Sequence, residues 1–373
     1  MAKKKESQIV MLDHSKAKVE LLEKYLQKYL SIICNDGFTE KINLFDLFCG
    51  EGIYENGGEG SPIVTLRVLK DLHFSNKAKN KTIPQIDLYF NDTDQIKIEK
   101  LKHIISEKKM HYEVFGKLNY RCKDYKEVVE KLCIYINGLK NEKAFVFIDP
   151  YGYKEIRASE IKALLTSKKS EVLLFLPTQF MYRFDEKGTP QALIEILEEL
   201  VDIKEWKPTN SVYAFIEQFK NALKEYLGKS FFVDTFTIEK DESTVYCLFF
   251  FSSHIRGFEK MLETKWEIDR DHGKGWSYEK TGDLFSAIKT NYLEKTILKL
   301  ITQKGKSYNG DVYEYTLRAG FLPKHVTEVL TSLQNQEKID VLSDTNSKVR
   351  RGAFYVNYGN YKKDFKKVYY KIK

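Results

Sequence analysis

The sequence predicts an α/β protein with a mostly parallel sheet, a closing antiparallel hairpin and a separate basic module at the C-terminus. Four short apolar runs without polar–apolar alternation are separated by segments of helical period, at 42–48, 86–90, 144–148 and 172–176. Such runs are typical of parallel strands that are buried on both faces. Residues 230–238 and 244–251 are also strand-like, and only a charged turn separates them, which predicts a hairpin. Residues 286–373 contain 17 Lys and Arg against 8 Asp and Glu, whereas the preceding residues contain 44 and 45.

The composition excludes several classes of protein. The chain has 373 residues, of which 42% are hydrophobic and 31% charged, enough for two or three domains with a sizeable core. Its longest apolar runs are far shorter than the ~18 residues of a transmembrane helix, and no apolar segment follows the basic N-terminus. Five scattered cysteines without CxxC spacing argue against disulfides and a cysteine zinc site. We therefore expect a cytoplasmic protein without a membrane span or a metal site.

The remaining elements complete the predicted topology. A helix over 14–34 precedes the first strand, a weaker third strand lies within 112–122, and residues 180–227 are helical over a stretch longer than a crossover needs. A parallel α/β sheet whose last two strands form a hairpin is the topology of class I methyltransferases, since flavodoxin-like and nicotinamide-binding sheets keep a helix there. We predict such a domain over 1–285, with a helical insertion at about 180–227, and a basic domain over 286–373.

The first candidate site follows the first strand. Ligands of open α/β sheets bind outside the carboxyl ends of the strands, and here the sequence reads Asp46-Leu-Phe-Cys-Gly50-Glu-Gly52. Glycines let the backbone approach a ligand closely, although tight turns use the same residues. The pattern Asp-x-Phe-x-Gly-x-Gly resembles the S-adenosylmethionine loop of methyltransferases. Asp46, Phe48, Gly50 and Gly52 are therefore candidate cofactor-binding residues.

Two further strand ends carry carboxylates. Asp92 follows the second strand, where an acid can accept both ribose hydroxyls of a nucleotide, and Asp94 competes with it for this role. Asp124 follows the third strand, where such enzymes touch the adenine. Each of these acids is also suited to be the N-cap of the helix that follows it.

Asp149-Pro-Tyr-Gly152 directly follows the fourth strand and is the sharpest chemical feature. It resembles the Asp-Pro-Pro-Tyr motif of amino-methyltransferases, in which the acid and a backbone carbonyl bind the target amine and the aromatic ring stacks on the base. Positioning of the amine lone pair supplies much of the rate of such a reaction. Asp149, Pro150 and Tyr151 are the candidate catalytic residues, although the second proline is missing. A turn that closes a buried strand is the alternative.

The whole pattern resembles the three-Cys-motif partner family over roughly residues 12–270. The segments that carry the resemblance are His14-Ser-Lys16, Leu21-Leu-Glu-Lys-Tyr25, Phe45-Asp-Leu-Phe-Cys-Gly-Glu-Gly-Ile-Tyr54, Gly60-Ser-Pro62, Phe147-Ile-Asp-Pro-Tyr-Gly152, Ser253-His-Ile-Arg-Gly257, Lys260-Met261 and Trp266. The resemblance implies a class I methyltransferase fold, S-adenosylmethionine as cofactor and a partner protein with a three-cysteine motif. Cys49 stands where the family loop has alanine. His14 and Lys16 could reach a substrate phosphate or simply open the first helix.

The basic C-terminal domain has the pattern of a winged helix. Helices are predicted over 292–303, 311–319 and 323–336, and strands over 339–342 and 353–356 bracket a polar tip. In such modules the third helix can enter the major groove while the wing touches phosphate. Lys324, His325, Lys348, Arg350 and Arg351 are the candidate nucleic-acid contacts. The exposed face of the third helix is not very basic, and winged helices also serve as docking or dimer modules, so a homodimer stays open.

Two functions are consistent with these features. The first is an S-adenosylmethionine-dependent methyltransferase that acts on nucleic acid or a nucleic-acid-associated target together with the three-Cys-motif partner. The second is a non-catalytic adaptor subunit that brings a partner enzyme to nucleic acid. Only the first needs Asp149 for chemistry. A metal-dependent nuclease is disfavoured because no metal-binding spacing supports it.

Overall fold

The computed structural model describes residues 10–183, 190–278 and 288–373, which form two compact units. The first unit contains the described residues before Ile255 together with the segment that begins at Lys274. The second contains residues 255–273 and the described C-terminal residues. The predicted domain boundary at 285/286 lies outside the described residues.

The first unit is built around an eight-stranded sheet. Its strands are β1 (Lys41–Asp46), β2 (Gln85–Asn91), β3 (Leu118–Arg121), β4 (Glu142–Ile148), β5 (Ser170–Leu176), β6 (Phe232–Asp241), β7 (Thr244–Ser252) and β8 (Gly275–Ser277). Their order is β3-β2-β1-β4-β5-β7-β6-β8. The first five strands are parallel, and β7 runs antiparallel to both β5 and β6. This order, with its reversed β7, confirms the class I methyltransferase-like topology. β8 adds parallel to β6 at the edge and has no counterpart among the predicted strands.

Helices connect these strands as the apolar periodicity predicts. They are α1 (Asp13–Ile33), α2 (Ser61–Ala78), α3 (Gln95–Glu107), α4 (Tyr125–Asn137), α5 (Ala158–Leu165), α6 (Thr178–Arg183), α7 (Gln191–Leu200) and α8 (Val212–Leu227). The last three form the predicted helical insertion.

The sheet is covered on both faces, which explains why its strands lack alternation. All seven residues of β5 are buried. On one face, Val146 and Ile148 of β4 belong to a cluster with α4, α5, α7 and α8. On the other face, the ring of Phe145 lies 5.7 Å from that of Tyr25 in α1. Burial of such large side chains contributes about 1.5–3 kcal/mol each to folding.

A buried polar contact fixes α1 to the sheet. The Tyr25 hydroxyl and the Ser252 hydroxyl both donate to the carboxylate of Glu171 on β5, the latter at 2.7 Å. Burial raises the pKa of Glu171 to about 7, against the opposing effect of these two hydrogen bonds. Because α1 also carries Lys18, this contact positions one side chain of the site described below.

The second unit is a winged helix with an added helix in front. It contains α9 (Ile255–Ile268), α10 (Ile288–Lys304), β9 (Ser307–Tyr308), α11 (Asn309–Arg318), α12 (Pro323–Asn335), β10 (Ile339–Ser343), α13 (Tyr358–Lys363) and β11 (Val368–Ile372). The strand order is β10-β11-β9, and both pairings are antiparallel. Within this unit, α9 donates a hydrogen bond from Trp266 Nε1 to Gly320 O at 3.0 Å.

The predicted wing strand at 353–356 is wrong. Phe354 and Val356 are buried as the apolar pattern indicates, but the backbone there is irregular and Tyr355 has a φ of 56°. A tyrosine in that left-handed region cannot continue a ladder. β10 pairs instead with β11, a strand near the C-terminus that sequence inspection did not identify.

Candidate functional site

Asp46 ends β1 and lies buried at the carboxyl edge of the sheet. Its Oδ2 accepts a hydrogen bond from the Ser61 hydroxyl at 2.6 Å, and its Oδ1 accepts the Phe48 N–H at 3.3 Å. Burial raises the pKa of Asp46 to about 7, with a further contribution from Asp149, although the Ser61 hydrogen bond opposes it. Ser61 is a residue type that often caps helices, but Gly60 is the N-cap of α2 and the Ser61 side chain bonds Asp46 instead.

The two loop glycines are required for different reasons. Gly50 has a φ of +66°, and a side chain added there would point into open space. Gly52 has a φ of +84°, but a Cβ there would lie 2.6 Å from Leu101 and 3.2 Å from Ile63. Gly52 therefore allows close packing of the loop on α2 and α3. Of these two glycines, Gly50 is the one that borders open space, which a ligand could occupy.

Asp92 and Asp94 have separate roles after β2. Asp92 is buried, and its carboxylate accepts the Gly50 N–H at 3.1 Å and the Asp94 N–H at 3.0 Å. Asp94 is the N-cap of α3, since its side chain accepts the Ile96 N–H. The buried acid that touches the glycine loop is thus Asp92.

Asp124 and Phe48 lie on the next part of this edge. Asp124 is exposed and is the N-cap of α4, where it accepts the Lys126 N–H at 2.9 Å. Phe48 is half-buried and stacks on Tyr125, with ring centroids 5.3 Å apart. Because Asp124 is exposed, its carboxylate remains accessible from solvent while one of its oxygens caps α4.

Asp149 directly follows β4, and its carboxylate is bound by the ammonium group of Lys18. Both side chains are largely buried, with 19% and 11% of their surfaces exposed. The Lys18 Nζ also lies 4.6 Å from the centre of the Phe175 ring, at the end of β5. Burial opposes the charge on Lys18, but attraction to Asp149, Tyr54 and Asp46 is greater and raises the pKa of Lys18.

Tyr151 is the exposed aromatic ring beside Asp149, with 61% of its surface accessible. Its hydroxyl accepts a hydrogen bond from Lys97 at 2.5 Å, and the same ammonium lies 3.6 Å from Asp92. Lys97 thus links the acid after β2 to the aromatic ring after β4. Pro150, between Asp149 and Tyr151, is buried.

Sequence reasoning missed Lys18 and Lys97, although Lys18 left a signal. His14, Lys18, Leu22 and Tyr25 share one buried face of α1, so a lysine at that spacing needs a buried partner. His14 stacks on Tyr246 at 5.4 Å, and burial together with Lys18 lowers the pKa of His14 to about 4. Lys16 is exposed and pairs with Asp13. His14 and Lys16 both lie in the first turn of α1, as the helix-start alternative predicts.

The candidate nucleic-acid contacts of the winged helix differ in how far their side chains are already engaged by other protein groups. The Nδ1 of His325 accepts the Leu322 N–H at 3.1 Å, and its ring lies 4.2 Å from Trp266. Arg351 donates to Asn335 at 2.6 Å. Lys324, Lys348 and Arg350 are exposed, and Lys348 lies 3.7 Å from Asp340.

The model of the family "GMT-like wHTH domain" matches residues 275–346. No curated protein sequence matches the chain significantly. Within the described residues, no helix is both long and apolar enough to cross a membrane.

Three of the solved structures that resemble part of the chain are an rRNA methylase, a methyltransferase domain and WbdD. An rRNA methylase from Streptococcus thermophilus is 6% identical, with a TM-score of 0.31, over 62% of this chain and 93% of that one. The methyltransferase domain of bacterial CtHen1-C is 13% identical, with a TM-score of 0.28, over 61% and 97%. WbdD is 14% identical, with a TM-score of 0.33, over 64% and 40%. The fold class itself follows from the strand order given above.

Proposed function

We propose that the first unit is an S-adenosylmethionine-dependent methyltransferase, acting on nucleic acid or a nucleic-acid-associated target. One observation carries the proposal. Asp46, Asp92 and Asp149 lie at the carboxyl ends of three adjacent strands, β1, β2 and β4, and the Gly50 bend lies between the first two. The carboxyl edge of an open parallel sheet is where such folds bind ligands.

The residues at this edge fit the chemical groups of the cofactor. Asp46 suits the ammonium of the methionine part, the open space at Gly50 suits its chain, and Asp92 suits the ribose hydroxyls. Phe48 and the exposed edge of Asp124 would border the adenine. When bound, S-adenosylmethionine supplies an electrophilic methyl group on a sulfonium centre.

Asp149 is the group that would orient the target. Lys18 holds one carboxylate oxygen, and the other can accept a hydrogen bond from a target amine and aim its lone pair. The carboxylate also stabilises the positive charge that grows on the amine as the methyl group arrives. Tyr151, exposed and held by Lys97, offers a ring on which a base can stack.

The second unit supplies the nucleic-acid contact in this proposal. Its winged-helix pattern and its surplus of lysines are the features of a phosphate-binding module. A three-Cys-motif protein is the proposed partner, on the strength of the sequence segments quoted above. A homodimer and a cytoplasmic location remain predictions of the sequence.

The titration of Asp46 gives a test of the cofactor site. Its pKa of about 7 means that the carboxylate is mostly ionised at about pH 7.5 and mostly neutral at about pH 6.0. An α-amino group, with an ordinary pKa of about 7.7–8.0, is roughly two-thirds protonated at the higher pH and almost fully protonated at the lower. This small gain opposes the loss of ionised Asp46, so we expect the affinity for S-adenosylmethionine, measured by calorimetry, to fall roughly fivefold from the higher to the lower pH.

The control for this titration is Asp46→Asn, which should bind weakly and without this pH dependence. Glu171 also has a raised pKa but lies near the start of β5, away from the carboxyl edge, so its titration should not reproduce the effect. Equal pH dependence in wild type and Asp46→Asn would remove Asp46 from the cofactor site.

One observation favours the alternative of a non-catalytic adaptor. The ammonium of Lys18 already binds one oxygen of the Asp149 carboxylate, so the pair could serve only to join α1 to the end of β4. The test is radiolabelled methyl transfer to total nucleic acid and total protein. Label incorporation by the wild type supports the enzyme, whereas cofactor binding without incorporation supports the adaptor.

A further inference from the structure

The helix α12, which is the third helix of the winged helix after α10 and α11, is poorly suited to read DNA. Its exposed face borders a shallow groove of about 460 Å³ lined by neutral side chains and one acid, namely Thr327, Glu328, Thr331, Ser332, Asn335 and Gln336. The hydroxyls of Thr327 and Thr331 donate to helix carbonyls at 2.8 and 2.7 Å.

The amide side chains at the end of α12 are engaged as well. Gln334 accepts the Gly352 N–H at 3.0 Å, Asn335 accepts from Arg351, and Gln336 donates to Ser332 at 3.0 Å. These are the groups that would have to contact base edges or phosphates. Only Lys324, at the start of the helix, adds a positive charge there.

A different surface of the same unit concentrates positive charge on aromatic rings. Tyr308 on β9 and Tyr369 on β11 are directly opposite in register, and their rings lie 6.2 Å apart. The Nζ of Lys306 lies 4.8 Å from the Tyr369 ring centre, and that of Lys366 lies 5.4 Å from the Tyr308 ring centre. We call these four residues the lysine–tyrosine cluster.

The two lysines of this cluster are exposed, and within the part of the chain that the structure describes neither forms an ion pair. An ammonium held over a tyrosine ring loses less freedom on binding and keeps its outward N–H groups available. Residues 361–373 around the cluster contain six lysines and one acid, Asp364. Asp364 is itself paired with Lys367 at 3.3 Å.

We infer that the lysine–tyrosine cluster beside β9 and β11, rather than α12 and the wing residues 348–351, is the surface that binds nucleic acid. The inference rests on the proposed nucleic-acid contact and specifies its chemistry. A lysine ammonium binds phosphate as a point charge, and contacts to phosphate carry no sequence information. The ligand is therefore the sugar–phosphate backbone, bound without sequence preference.

The test compares two charge reversals of equal size in the full chain. Lys306→Glu/Lys366→Glu removes the cluster, and Lys324→Glu/Lys348→Glu is the matched control on the other surface. Binding is measured by fluorescence anisotropy with a labelled DNA duplex and a single-stranded RNA of equal length. We expect the first pair to weaken binding at least about tenfold and to lower the salt slope by about 2, and the second to weaken it about threefold or less.

Three other results would overturn the inference, and they differ in what they mean for the proposed function. A larger loss in the control pair, or equal losses in both, overturns the inference while leaving the proposed function intact. No binding by the wild type at about 50 mM salt overturns the inference together with the nucleic-acid part of the proposed function. Equally tight binding of poly-glutamate also overturns it and points to an acidic protein.

A milder pair of substitutions, Lys306→Gln/Lys366→Gln, should also weaken binding more than the control pair Lys324→Gln/Lys348→Gln. Thermal melting checks that each variant is folded.

Discussion

Gly50→Val is expected to abolish binding of S-adenosylmethionine while the protein stays folded. The side chain would project from the bend after β1 into space that is open in the structure and that the methionine part of the cofactor would need. The bend itself is fixed, because the Cys49 N–H donates to Asn91 O at 2.8 Å and the Gly50 N–H donates to Asp92. The loop therefore cannot move aside without breaking its contacts to the end of β2. Calorimetry should show no heat of binding at millimolar ligand.

The loop offers a matched control. Gly57 has a φ of +79°, close to the +66° of Gly50, and a side chain added there also meets open space. Valine at either position carries the same kind of backbone strain, about 1–3 kcal/mol. We expect Gly57→Val to lose a similar amount of stability in thermal melting and to keep cofactor affinity within a few-fold. Loss of binding in both variants would mean that backbone strain, rather than filled ligand space, is responsible.

Most of the sheet could be predicted from sequence because its strands are short, apolar and buried on both faces. β4 and β5 are continuous runs with no other stable location, and the charged turn between β6 and β7 leaves no room for a helix. The prediction of a wing strand over 353–356 was wrong because the backbone there is not free to pair, although its apolar side chains are buried. Residues 353–356 bury Phe354 and Val356, but burial alone does not set the backbone angle of Tyr355. An apolar pattern reports burial, and it predicts a strand only where the backbone is free to pair.

The acids of the site were predictable from the sequence, whereas the partners of its lysines were not. Asp46, Asp92 and Asp149 follow apolar strands, so their place at the carboxyl edge is a consequence of topology. Their partners come from elements distant in sequence, as in the contact from Lys18 of α1 to Asp149, and no spacing rule identifies such pairs. Ser61 shows the same effect, because its position favours a cap but a buried carboxylate nearby binds its hydroxyl instead.

Asp149→Asn is expected to cut methyl transfer by roughly 10²-fold while leaving the cofactor affinity within a few-fold. The amide keeps the shape of the carboxyl group but loses the negative charge that would stabilise the developing cation on the target amine. Asparagine is a better choice than alanine here. Alanine would leave the buried Lys18 ammonium without its partner, and breaking a buried ion pair in this way costs about 3–5 kcal/mol. An amide oxygen still accepts a hydrogen bond from Lys18, so we expect Asp149→Asn to lose less stability than Asp149→Ala and to remain folded for the assay.

Asp94→Asn is the control for Asp149→Asn, because it makes the same carboxyl-to-amide change in the N-cap of α3, and asparagine is an equally good cap. It should leave transfer unchanged. The decisive measurement pairs radiolabelled methyl transfer with genetic complementation in cells that lack the gene. If Asp149 orients the target, Asp149→Asn fails in both assays although it binds cofactor and is folded at the assay temperature. If the Lys18–Asp149 pair only joins α1 to the end of β4, complementation survives because the amide preserves that contact. Complementation by this variant, with no transfer by the wild type, would establish the adaptor and remove Asp149 from the catalytic machinery.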